Sequence, residues 1–215
     1  MEKEKNPQWA KRILLYSIGV IVMTFGIAMA VRADIGVAPG SLLAYAVSQL
    51  TPLTVGTCTT IFHIFFMLLQ LVITRRLTIR LLLQFPMAFV IGLMLDIFYG
   101  WLDFNNQSYA FRALLLVSAM VVFSLGIRIL VGADVLLSPA DGVAQAFGNI
   151  LGWKMAKGKL AFDAIVTIVA ALLTLIVAHD PFIAVGVGTA VCALGTGPLI
   201  GLFTKLFPFF DVIKK

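Results

Sequence analysis

Charge is what this sequence has least of. Lys, Arg, Asp and Glu make up 12% of its 215 residues, against 61% hydrophobic. A soluble domain needs more polar surface than that to cover its core. Histidine and cysteine are scarcer still, with two of each. Cys58 and Cys192 both fall within apolar runs and at no metal-ligand spacing, so neither a disulfide framework nor a metal site is expected. The sequence holds no HExxH, no GxSxG and no Walker loop, and its second histidine is not at ligand spacing from the first. We therefore expect no enzyme activity and no cofactor.

What the sequence has in abundance is long apolar runs, with a mean hydropathy of +1.05. Uncharged stretches of about twenty residues are long enough to cross a bilayer as helices. Candidate spans are Ile13 to Val31, Val55 to Thr74, Leu81 to Leu102, Ala113 to Val131, Leu160 to Ala178 and Phe182 to Thr204, the last interrupted at Gly195-Thr196-Gly197-Pro198. Two apolar runs, Ser41 to Leu50 and Ala140 to Leu151, are too short to cross. The net charge of +6 has a simple cause in cations gathered on one membrane face, so no nucleic-acid partner is expected. The first apolar run closes on no clear cleavage site and reads as a retained helix. With short flanks at both ends, residues 1–215 are expected to form one membrane domain with no soluble domain attached.

The stretch Ala33-Asp34-Ile35-Gly36-Val37-Ala38-Pro39-Gly40-Ser41 has a degenerate copy one hundred positions later, Ala133-Asp134-Val135-Leu136-Leu137-Ser138-Pro139-Ala140-Asp141. At that offset, without gaps, fourteen of the sixty-three positions from 12 to 74 are identical. The matches include Arg12/Arg112, Gly26/Gly126, Asp34/Asp134, Pro39/Pro139 and Phe62/Phe162. Apolar composition alone does not bring rare Asp, Pro and Arg into register, so the chain reads as two repeats, about 12–102 and about 112–205.

Charge then selects a topology. If each short segment dips in and returns, each repeat has three spans and the second repeat is inverted. Lys3, Lys5, Lys11 and Arg12, then Arg75, Arg76 and Arg80, then Lys154, Lys157 and Lys159, and finally Lys205, Lys214 and Lys215 all fall inside. If the short segments crossed fully, the cluster at Arg75 to Arg80 would fall outside, against the rule. The expected fold is all-α and polytopic, with two inverted repeats, six spans and two re-entrant half-helices, and both termini cytoplasmic. Such repeats with broken helices place a solute site near the midplane.

The candidate site residues follow from that plan. Pro39, Gly40 and Ser41, and Pro139, Ala140 and Asp141, would each open a half-helix whose free N–H groups and positive dipole end point inward, suited to an anion or polar solute. The plainer reading of the two prolines is a break that only shapes packing. Arg32 and Arg128 are candidate solute-binding cations. Arg128 otherwise snorkels, and Arg32 with Asp34 otherwise forms an interfacial ion pair. His63 aligns with Asp163, and together with Asp34 and Asp134 they are proton-coupling candidates. Alternatively, His63 is a packing residue and Asp163 pairs with Lys159 one turn away. Asp96 is costly within its span unless paired or hydrated. Gly19, Gly26, Gly186, Gly188, Gly195 and Gly197 suggest close helix packing.

Residues 32–39, the Ala133-Asp134 pair with Pro139-Ala140-Asp141-Gly142, and Gly158 to Asp163 resemble the YczE/YyaS/YitT group of bacterial integral membrane proteins. That resemblance covers nearly the whole chain. It implies a protein of the bacterial cytoplasmic membrane and carries no assigned substrate. The group's second motif often reads Pro-Gly-Glu-Gly; Pro-Ala-Asp-Gly here keeps the acid and loses one glycine, so two equivalent half-helix tips are not implied. The leading expectation is a transporter or facilitator of a small polar, anionic or zwitterionic solute. A channel of the same architecture and a non-transporting assembly or sensor protein are the alternatives. The expected partners are the solute and the lipid bilayer, with a homodimer left open.

Overall fold

The computed structural model describes residues 7–104 and 108–210. Lys3, Lys5, Lys214 and Lys215, counted above among the inner cations, lie outside the described residues, as does the middle of the polar loop from 103 to 110. Eight helices follow in order: α1 Pro7–Ala33, α2 Pro39–Leu50, α3 Val55–Thr74, α4 Ile79–Trp101, α5 Tyr109–Ala133, α6 Pro139–Ile150, α7 Met155–Ala178 and α8 Val187–Leu206, with a closing 3₁₀ turn at Pro208–Phe210. There is no strand among the described residues. Six of the helices are long and apolar enough to cross a membrane. Large apolar side chains such as Ile176 and Leu194 are 73% and 78% exposed, the surface a lipid solvent calls for. The chain is a multi-pass membrane protein of the all-α class. α2 and α6 have 12 residues each, a rise of about 18 Å, which is too short to cross.

Local chemistry sets the boundaries. Thr54, Thr78, Ser108 and Ser138 cap α3, α4, α5 and α6, each accepting a backbone N–H from the first turn. Pro39 and Pro139 both stand at the first helical positions, where a missing N–H costs nothing. Asp34 and Asp134 follow α1 and α5 in the left-handed conformation, at φ 53° and 47°, and release the chain into four non-helical residues before the next helix. The span expected from Phe182 with a break at Gly195 to Pro198 is different in the structure: α8 begins at Val187 and runs unbroken past Pro198. Proline is tolerated there, as Pro86 is in α4, because neighbouring groups in a bundle can satisfy the freed carbonyl.

The centre of the bundle is the crossing of α1 and α5. Gly19 lies against Leu130 and Gly126, Gly26 against the backbone of Phe123, and Gly126 against the backbone of Met23. Contacts fall along α5 as they rise along α1, so the two helices run antiparallel. They are also reciprocal: position 26 meets 123, and 126 meets 23. Each short helix packs between α3 and α7.

The two halves differ at one seam. α3 and α4 are zipped together. Gly56 and Gly92 meet backbone to backbone, and Thr60 donates its hydroxyl to the Ala88 carbonyl at 3.2 Å. Asp96 accepts the Gly56 N–H at 2.8 Å and the Thr54 hydroxyl at 2.6 Å, so its carboxylate is spent capping the α3 N-terminus. One hundred positions later the same four places hold Ala156, Leu160, Cys192 and Thr196. Among the described residues, α8 packs on α5 and has almost no packing on α7.

Candidate functional site

The first turns of α2 and α6 lie close together: a methyl built on Gly40 would lie 3.9 Å from the Cβ of Ala140, the position one hundred residues on. Beside this meeting point is a cavity of about 360 Å³. Pro39, Gly40 and Ser41 line it from α2, and Ala140 and Asp141 from α6, with His63 from α3 and Asp163 from α7. Its remaining walls are mainly apolar, among them Met23, Ile27, Phe123, Ile127 and Ile200. The cavity follows the unzipped α7–α8 seam and reaches the molecular surface there: Leu160 of α7 and Ala193 and Gly197 of α8 line it and are all exposed.

The polar wall is organised by a cation. Lys159 Nζ lies 3.1 Å from Asp141 Oδ1 and 3.0 Å from Asp163 Oδ1, joining α6 to α7. Ser138 Oγ donates to Asp141 Oδ2 at 2.8 Å and accepts the Asp141 N–H at 3.2 Å. The α6 tip is therefore occupied by its own side chains. The α2 tip is not: Ala38 stands at its N-cap and supplies no side-chain acceptor. Across the cavity His63 is 8% exposed, and its Nδ1 has no hydrogen-bond partner among the described residues. Two carboxylates and one ammonium leave the lining one negative charge in excess, with neutral histidine.

Five sequence candidates lie elsewhere. Arg32 donates from Nε and Nη2 to the Tyr99 carbonyl, at 3.0 and 2.7 Å, with its guanidinium over the Tyr99 ring. Arg128 is 1% exposed and donates to the Phe207 carbonyl at 3.0 Å, beside the closing turn. Neither lines the cavity. Asp34 accepts the Tyr45 hydroxyl at 2.7 Å and pairs with Arg112 at 3.2 Å. Asp134 lies 3.8 Å from Arg80. Pro139, the first residue of α6, is buried and does not line the cavity. His63 and Asp163 share the cavity, with no hydrogen bond between them among the described residues. Lys159 is the residue sequence reasoning undervalued; the signal was its place four residues before Asp163.

The two ends of the cavity are unlike. A smaller cavity of about 100 Å³ shares Met23, Ile127, Ser138 and Asp141 with the large one and continues to Asp134 and Arg80. Toward the Asp34 end the space between α1, α2 and α5 shrinks to about 10 Å³.

A protein-family model described as a family of unknown function, DUF6198, matches residues 10–205. The chain belongs to the DUF6198 family. The match takes in all eight helices of this DUF6198 protein almost completely, the cavity included. The chain is also similar to the uncharacterized protein YyaS of Bacillus subtilis (strain 168), 22% identical over 202 residues, 91% of this chain and 93% of the relative. That agrees with the resemblance carried by residues 32–39, 133–142 and 158–163. No solved structure matches this DUF6198 protein.

Proposed function

We propose that this protein is a transporter or facilitator of a small polar solute, anionic or zwitterionic, bound where the tips of α2 and α6 meet. The observation that carries the reading is the cavity of about 360 Å³ lined by the first turns of α2 and α6 and by His63, whose buried Nδ1 has no partner among the described residues. Helix N-termini offer partial positive charge and N–H donors to such a solute. In this reading residues 12–102 and 112–205 are inverted repeats, and α2 and α6 enter from opposite leaflets without crossing. The antiparallel, reciprocal contacts of α1 and α5 support it. The cation rule places Arg75, Arg76 and Arg80 on the cytoplasmic side. The wider path past Asp134 then leads to the cytoplasm, and the Asp34 end is the closed outer side. Transport follows if the two ends open alternately.

The test is flux into proteoliposomes of labelled amino acids and carboxylates, with substitutions at Pro39, Ser41, His63, Asp141 and Asp163. Saturable uptake that falls in folded variants supports the reading; uptake unchanged in all five rejects this site. Access is tested separately with Cys58→Ala, which leaves Cys192 on the cavity wall as the single thiol. Cys192 should react with a small, membrane-impermeant methanethiosulfonate from the cytoplasmic face. Failure to react from either face would reject a solute path.

A further inference from the structure

Resting on that transport reading, we propose that the solute is a zwitterion with an apolar body, of the kind an α-amino acid with a hydrocarbon side chain presents: its ammonium seats against Asp163 and Asp141, and its carboxylate against the α2 tip.

Four independent features of the cavity converge on this class. The first is charge. Asp141, Asp163 and Lys159 sum to minus one, so a free anion meets net repulsion, whereas the ammonium end of a zwitterion is attracted. Lys159 Nζ takes Oδ1 of each carboxylate, at 3.1 and 3.0 Å, and the solute ammonium joins this cluster from the cavity side, at the carboxylate oxygens that Lys159 leaves. The second is the inequality of the two tips. α6 is closed by Ser138 and Asp141, while α2 has Ala38 at its cap and keeps the Gly40 N–H and the Ser41 hydroxyl for an incoming acceptor. The third is His63, a polar side chain that lines the cavity while its Nδ1 is buried without a partner among the described residues. A turn of the ring would offer that nitrogen to a bound polar group, since a buried polar atom is costly when left unpaired. The fourth is the remaining wall, apolar from Met23 to Ile200, against which a hydrocarbon side chain is buried favourably. A fully polar zwitterion leaves that wall unused; a fatty acid leaves the carboxylates uncompensated.

Three probes share one hydrocarbon body and differ only in charge: leucine, isoamylamine and 4-methylpentanoate. Each is titrated against alkylation of Cys192 by the same methanethiosulfonate in the Cys58→Ala protein, together with a graded series of amino acids from glycine to phenylalanine. Leucine should protect best and 4-methylpentanoate worst, by at least about tenfold in half-protecting concentration, as expected when a charge-assisted contact is lost. Asp163→Asn should weaken leucine by about tenfold and narrow or reverse the gap to 4-methylpentanoate, while Asp163→Glu keeps the order. A merely structural Asp163 would weaken all three probes alike. Protection by 4-methylpentanoate equal to that by leucine overturns the proposal. So does a reactive Cys192 that no amino acid in the series protects, and in that case the transport reading stands, because the thiol is reached from water. A Cys192 unreactive from both faces removes the transport reading and this proposal with it.

Discussion

Removing the Lys159 ammonium should set the two carboxylates against each other. In Lys159→Met, Asp141 and Asp163 keep their places but lose the cation 3.1 and 3.0 Å from their oxygens. The carboxylate oxygens that shared it are then at most about 6 Å apart, and two like charges at that distance repel by about 3 kcal/mol at an effective dielectric near 20. The Lys159 side chain is 37% exposed and the carboxylates 22% and 18%, so solvent screens part of this. A cost of about 2 kcal/mol is expected for Lys159→Met, below the 3–5 kcal/mol range of a fully buried pair broken on one side. The same substitution made in Asp163→Asn should cost only about 1 kcal/mol, because a single carboxylate remains and Ser138 still donates to it. The assay is equilibrium unfolding in mixed micelles, read as a double-mutant cycle with a coupling energy of about 1 kcal/mol. Equal costs in the two backgrounds would show that the three charges do not act as one unit.

Three further outcomes follow from the packing. Gly92→Val forces a branched side chain into the place where Gly56 and Gly92 meet; it should lower folded yield by the equivalent of about 3 kcal/mol, whereas Cys192→Val, one hundred positions later at a buried position with the cavity beside it, should stay within about 1 kcal/mol, both measured by size-exclusion recovery in detergent. Gly36→Ala places a side chain at φ 121°, against the Thr189 backbone; a loss of about 2 kcal/mol is expected from strain and contact together. Asp96→Ala strips the Gly56 N–H and Thr54 hydroxyl of their acceptor and should cost about 2 kcal/mol in the same unfolding assay.

Much of this was legible before the coordinates. Val55 to Thr74 reads as a helix from sequence and is one, residue for residue, because a threonine cap and an arginine cluster bracket an uncharged run. Seven of the candidate residues share one cavity, since the hundred-residue offset aligns Pro39 with Pro139 and His63 with Asp163. The arginines were not legible in the same way. A lone cation in an apolar run advertises a cavity, yet Arg128 is engaged by the Phe207 carbonyl, beside the closing turn. No hydropathy pattern foretells where a short tail folds back. Lys159 was hidden for the opposite reason. Its place four residues before Asp163 announced a local pair, and its second bond reaches to Asp141, on another helix that only tertiary packing brings near. The glycines of α1 and α5 announced close packing but not their partners, which are set by the antiparallel crossing.

Under the zwitterion proposal, the gap between α7 and α8 bears on how long a solute tail the cavity would tolerate. A chamber walled on every side rejects a homologue once its tail outgrows the space. Here one flank is bounded by Leu160 on one helix and Gly197 on another, both at the surface, and hydrocarbon lies just beyond. A growing alkyl tail can thread out between them into the fatty acyl chains while the head stays where it is. Affinity plotted against tail length should therefore climb and level off, with no abrupt cutoff.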